Sequence, residues 1–207
     1  MGGCVRDSLL GSKPNDWDIT TNALPEQIAA CFPGYTLVLN GIRHGTVGIV
    51  EDGVLFEATT YRVDGTYSDN RRPDSVAFTP RLEEDLCRRD FTVNAMAYNE
   101  RDGLIDCFGG RSDLNKRLIR CVGEPEKRFE EDALRILRAL RFASKLDFAI
   151  EKKTANAVLK EKDRLLNIAN ERIAKELLSL LCGQGAGRVL REFPQVFFVF
   201  LPELSLI

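Results

Sequence analysis

The 207-residue chain holds a single histidine, His44, a single tryptophan, Trp17, and no run of 18 or more apolar residues. Without such a run there is no candidate for a membrane-spanning helix. Six cysteines (Cys4, Cys31, Cys87, Cys107, Cys121, Cys182) are scattered with no C-x-x-C pair. With only one histidine beside them, neither a zinc site nor a disulfide framework is expected. No charged and apolar signal stretch opens the sequence, so the cytoplasm is the default location. Excess charge is also missing: a net charge of -2 and a pI near 5.6 argue against a uniformly basic nucleic-acid binder. Arginines do cluster between Arg62 and Arg141, which points to a local basic cleft. What is present, 44% hydrophobic residues without repeats or low-complexity stretches, suffices for a buried core.

The first half alternates short elements. Gly2-Gly3 ahead of Val5-Arg6-Asp7-Ser8-Leu9-Leu10, with Gly11 as a stop, reads as a tight turn into a short helix whose free N–H groups suit phosphate. Residues 24 to 32 read as a helix with Pro25 at its start and Pro33-Gly34 after it. Strands are expected at 35 to 39, 46 to 51 and 54 to 60, the last two joined by Asp52-Gly53, a hairpin signal. Residues 61 to 75 are polar and aperiodic, the pattern of a mobile loop. From Leu82 the pattern turns helical, with helices expected at 82 to 90, 91 to 98, 110 to 117, 130 to 144, 151 to 166, 171 to 181 and 187 to 192. Gly123 and Pro125 mark a boundary. This gives a head at 1–122, a helical neck at 123–190 and the start of a further helical domain at 191–207. Both ends read as cut, because only Met1 precedes the Gly-Gly turn and little chain follows the apolar run from Val196 to Leu201.

Asp16 and Asp18 carry the chemistry most directly. On a strand, residues at i and i+2 share a face about 6.6 Å apart. Paired carboxylates suit Mg²⁺, with substrate phosphates completing its octahedron, although such a triplet also occurs in solvated turns. Glu57, on an expected neighbouring strand, is a third carboxylate able to face the same metal and accept a proton; the alternative is an edge glutamate facing water. Arg88, Arg89, Asp90 and Asn94 combine guanidinium forks that match phosphate with groups suited to ribose hydroxyls, or else form a solvated helix start. Asp132, Arg135, Arg138 and Arg141 fall at steps of three along a helical stripe, a spacing that ordinary exposed salt bridges also produce.

Taken in order, Gly2-Gly3-x-Val5-Arg6-Asp7, Asp16-x-Asp18, Arg88-Arg89-Asp90-Phe91-Thr92-x-Asn94-Ala95 and Glu131-Asp132-x-x-Arg135 closely resemble the bacterial tRNA nucleotidyltransferases, the CCA-adding enzymes of class II. The resemblance runs from Gly2 to about residue 170. It implies an α+β fold, with a mixed-sheet, DNA-polymerase-β-like nucleotidyltransferase head and an all-helical neck. It also implies addition of CMP and AMP from CTP and ATP to the tRNA 3′ end, with pyrophosphate leaving. By the same resemblance Gly3 and Arg6 contact the nucleotide, Asp16 and Asp18 hold Mg²⁺, Arg89 grips phosphate, and Asp90 with Asn94 lies by the ribose. Asp132 and Arg135 template the base, Arg138 and Arg141 serve the nucleotide, and Glu57 is a metal-site carboxylate. A poly(A) polymerase and CC- or A-only enzymes share these motifs, and an inactive RNA-binding remnant is a rival of another class. Gly41-Ile42-Arg43-His44-Gly45 resembles the CCA-adding form more than the basic poly(A) form. The oligomeric state stays open.

Overall fold

The computed structural model describes residues 1–14, 16–65 and 75–203, and they divide into two compact units. The first takes its described residues from 1–65, 75–89 and 93–110, the second from 90–92 and 111–203.

In the first unit, helix α1 (Gly3–Leu9) starts after Gly2, whose φ of 75° no other residue adopts cheaply, and ends before Gly11 at φ 73°. Strand β1 (Asp18–Thr21) and helix α2 (Pro25–Ala30) follow. Strands β2 (Thr36–Val38), β3 (Thr46–Glu51) and β4 (Val54–Thr60) complete a mixed sheet of order β1-β4-β3-β2. Asp52 and Gly53, at φ 50° and 76°, form the tight turn between β3 and β4, as their residue types predict. One sheet face is apolar: Val47, Ile49 and Ala58 pack with Ile28 of α2. Alternation puts Asp18, Thr20, Glu57 and Thr59 on the opposite face, with Val38, Val50 and Leu55 further along it.

Arg62–Asp64 is a strand, β5, paired antiparallel with β6 (Val76–Phe78), so the expected 61-to-75 loop is ordered ribbon at 62 to 64; residues 66–74 lie outside the described residues. Helix α3 (Leu82–Cys87) stops short of the expected 90. The expected helix from 91 to 98 does not form. Residues 92 to 94 make a single 3-10 turn, and β7 (Ala97–Asn99) pairs with β8 (Gly103–Ile105). Phe91, Val93, Ala95, Met96 and Ala97 are all buried, so the segment carries no amphipathic period to read.

The second unit begins with α4 (Gly110–Asn115) and β9 (Leu118–Ile119). Helices α5 (Pro125–Glu131) and α6 (Leu134–Leu146) are separate, whereas periodicity predicts one helix from 130 to 144. The break is at Asp132, which takes extended angles (φ −145°, ψ 104°) and accepts the Leu134 N–H on its side chain at 3.1 Å. An aspartate that bonds the backbone two residues on favours a turn over helix continuation. Strand β10 (Ala149–Ile150) pairs with β9, and α7 (Lys152–Glu161), α8 (Asn170–Leu181), α9 (Ala186–Glu192) and α10 (Pro194–Phe198) complete the unit. Helices α6 and α8 approach closely, with the buried Ser144 hydroxyl donating to the Leu180 carbonyl at 2.6 Å.

Candidate active site

Two groups of the expected residues take shape, one in each unit. In the first unit β1 begins at Asp18, and Asp16 is an exposed residue in the bend before it. The strand-alternation argument therefore reaches Asp18 but not Asp16. What the fold adds is register: β1 and β4 run parallel with Asp18 opposite Glu57. Register partners on neighbouring strands project from the same face, here the one opposite the α2 core, and both side chains are exposed. Among the described residues no three His, Cys, Asp or Glu side chains converge on a preformed cation site. A magnesium ion held by one or two carboxylates and completed by phosphate oxygens does not need one, so the oxygen-only donor set fits that ion.

The Gly2-Gly3 turn lies against this strand. The Met1 nitrogen donates to the Asp18 carbonyl at 2.6 Å and the Gly2 N–H to Met96 at 2.9 Å. Arg6 of α1 donates to Asn94 at 2.5 Å and pairs with Asp7 at 2.7 Å, so Arg6 and Asn94, 88 residues apart, form one polar cluster. Arg89 packs on the turn itself: a Cβ at Gly2 would stand 2.7 Å from its Nη1. Arg88, equal to Arg89 in sequence terms, is committed elsewhere. It donates to Asp85 at 2.7 and 3.1 Å and to the Arg62 carbonyl at 3.2 Å, and lies 3.8 Å from Asp64.

The second unit holds Asp90 and the α6 stripe. Arg138 donates to Asp90 Oδ2 through Nη2 at 2.5 Å and Nε at 2.9 Å. Asp90 beside it raises the Arg138 guanidinium above its ordinary value, against the effect of burial. Arg141 donates to Glu176 at 2.5 Å and stacks on Phe142, 4.1 Å from the ring centroid. Burial outweighs Glu176 there and lowers the Arg141 guanidinium. Arg135, only 9% exposed, donates to Glu131 at 2.5 Å and to the Arg128 carbonyl at 3.1 Å. Asp132 pairs with Arg172 of α8 at 3.2 Å. The stripe is thus half-buried, and the ion-pair partners of Asp132, Arg138 and Arg141 come from distant segments, so an exposed face of i,i+3 salt bridges does not describe it.

Sequence reasoning missed Asp85, Arg172 and Glu176. Glu176 carried a signal: it sits three residues after buried Ile173 and four before buried Leu180, an acid within the core-facing stripe of α8. Asp85, beside buried Leu86 in a run of three acids, carried none.

Two family profiles match the chain: "Poly A polymerase head domain" over residues 1–120 and "Probable RNA and SrmB- binding site of polymerase A" over 147–205. Among curated proteins, the CCA-adding enzyme of Geobacillus stearothermophilus is 50% identical over 190 residues, covering 92% of this chain and 46% of that protein. The CCA-adding enzyme of Limosilactobacillus reuteri is 50% identical over 93% of this chain and 47% of its own length. Among solved structures, the Bacillus stearothermophilus CCA-adding enzyme in complex with CTP superposes with a TM-score of 0.83 at 46% identity, over 94% of this chain and 46% of that one. The Thermotoga maritima CCA-adding enzyme complexed with tRNA gives 0.73 at 33% identity, over 95% and 45%. The chain spans about half the length of these relatives. With its head profile filled from the Gly-Gly turn through the paired carboxylates to the hairpin beyond Asn94, the chain belongs to the poly A polymerase head domain family, with CCA-adding enzymes among its relatives.

Proposed function

We propose that this chain supplies the nucleotidyltransferase head and the nucleotide-selecting neck of a cytoplasmic CCA-adding enzyme, which transfers CMP and AMP from CTP and ATP to the 3′ hydroxyl of tRNA. The observation that carries the reading is the register pairing of Asp18 with Glu57 on the sheet face opposite the α2 core. The head profile and the relatives named for CCA addition support it. Asp16 and Asp18 would hold Mg²⁺, and Glu57 would take the proton of the attacking hydroxyl. Magnesium supplies charge neutralisation on the triphosphate and acidifies the attacking hydroxyl. Gly3, Arg6 and Arg89 hold the nucleotide phosphates at the Gly-Gly turn, with arginine forks matching phosphate oxygens. Asp90 and Asn94 serve the ribose. In the neck, Asp132 and Arg135 select the base and Arg138 and Arg141 support the nucleotide, while residues 147–205 match a profile named for RNA binding. Phosphoryl transfer asks the protein mainly for positioning and charge, which these side chains provide.

The test is incubation of tRNA lacking its 3′ end with CTP alone, ATP alone or both, with the products sized. Products ending in CCA only when both are present are expected. A ladder of A residues would instead indicate a poly(A) polymerase, and products stopping at CC a CC-only enzyme. No product, with RNA still bound, would indicate an RNA-binding remnant.

A further inference from the structure

Asp85 is fully enclosed in α3 and is used by nothing in the mechanism above. Enclosing a carboxylate is costly unless it is paired and hydrogen-bonded, and a leucine would fill the space more cheaply. The two oxygens of Asp85 serve different groups. Oδ1 accepts the Arg62 backbone N–H of β5 at 3.1 Å and the Arg88 Nε and Nη2 at 3.1 and 2.7 Å. Oδ2 faces Arg89 Nη2 at 3.7 Å. One carboxylate therefore hydrogen-bonds the Arg88 guanidinium and the strand beside it through Oδ1, while Oδ2, which accepts no hydrogen bond among the described residues, faces the Arg89 guanidinium as its counter-charge. Arg88 shares its Nε between Asp85 and the Arg62 carbonyl and turns Nη1 toward Asp64, so it anchors the cluster. Arg89 instead has its far edge against Gly2, at the close approach that only a residue without a Cβ permits.

We propose that Asp85 is a positioning residue for nucleotide binding: it fixes the Arg89 guanidinium against the Gly2-Gly3 turn, in the orientation that meets the triphosphate. The proposal rests on the reading of Arg89 as a phosphate ligand. A flexible cation that is oriented beforehand loses less freedom when the ligand arrives, and a small misplacement of such a group is felt strongly.

The test is a double-mutant cycle on the 207-residue chain, with CTP binding in the presence of magnesium measured by titration calorimetry. The variants are Asp85→Asn, Arg89→Ala and the double variant, with folding checked by circular dichroism. Arg89→Ala is expected to weaken CTP binding, and Asp85→Asn to weaken it roughly ten-fold. The double variant should be no weaker than Arg89→Ala alone, because Asp85 acts through Arg89. A merely structural role would give independent, additive losses, and that result, like unchanged affinity in Asp85→Asn, overturns the proposal. Unchanged affinity in Arg89→Ala removes the phosphate-ligand reading and the proposal with it, as does a parent chain that binds no CTP. If Asp85→Asn fails to fold, Asp85→Glu, which keeps the charge but moves it by a methylene, takes its place. Failure of both to fold would make Asp85 a structural group and likewise overturn the proposal.

Discussion

Under the proposed function, Asp132→Asn separates stability from base selection in the neck. Asp132 has two structural duties: Oδ1 holds the turn before α6 by accepting the Leu134 N–H at 3.1 Å, and the carboxylate pairs with Arg172 at 3.2 Å. Asparagine keeps this turn bond, since its side-chain oxygen accepts in the same way, whereas alanine loses about 1 kcal/mol there. The ion pair is partly solvated, with side chains 23% and 16% exposed, so its loss is set at roughly 1 kcal/mol rather than the larger penalty of a fully buried pair. Asp132→Ala should then cost about 2 kcal/mol and Asp132→Asn about 1, and each kcal/mol lowers Tm by roughly 4–8 °C in a unit of this size. Selection follows a different rule. Cytosine and adenine each place an exocyclic amine beside a ring-nitrogen acceptor, which suits a carboxylate acceptor next to an arginine donor; guanine and uracil present a carbonyl beside a ring N–H. Mispairing buried polar groups costs several kcal/mol, so the preference for CTP and ATP over UTP and GTP should fall roughly 10²-fold or more in either variant. The assay is incorporation of each of the four nucleotides, with melting curves on the same preparations. Unchanged discrimination alongside the expected Tm losses would refute the selecting role and leave Asp132 as a turn residue and a counterion to Arg172.

Asp16→Asn and Asp18→Asn are each expected to abolish metal-dependent transfer while moving Tm by under about 1 kcal/mol equivalent, because both are exposed; a variant that keeps more than a few per cent of activity would remove that residue from the metal site. Gly183→Ala should destabilise the second unit by about 2–4 kcal/mol, seen in thermal melts, because the new Cβ would stand 2.2 Å from Ser144 Oγ and 2.6 Å from its carbonyl carbon, where α6 backbone cannot yield. Native alkylation at pH 8 should add four groups, at the exposed Cys31, Cys87, Cys107 and Cys182, by intact mass. Cys121 should stay unlabelled, since burial pushes its thiol up to about 12 from 9.0 and so keeps it protonated. By linkage the Cys121 contribution to stability is full below pH 9.0 and is lost as pH rises toward about 12, a slope that Cys121→Ala should remove from melts across that window. Deletion within 66 to 74 is expected to leave products ending in CC, whereas equal loss of C and A addition would mark a general structural element.

Local chemistry made parts of this protein legible without coordinates. Asp52-Gly53 can be little else than a tight turn, the glycines at 2 and 11 bound α1, and the apolar spacing of Ile173 and Leu180 sets the inward face of α8, because these features depend on the residues' own conformational preferences. The ordered motifs likewise singled out Asp18, Arg89, Asp132 and Arg135 as residues of the proposed site. Tertiary structure alone decided the partners. Periodicity tells which face is buried but not what meets it, so Arg138 with Asp90, Arg141 with Glu176 and Arg6 with Asn94, separated by 48, 35 and 88 residues, had no local signature. Where burial is all-round, as from Phe91 to Ala97, even the element type is undetermined, since a helix and a strand both satisfy it. Register is of the same kind: Glu57 shares the face of Asp18 because β1 and β4 run parallel at that offset, and a one-residue slip would turn it to the opposite face.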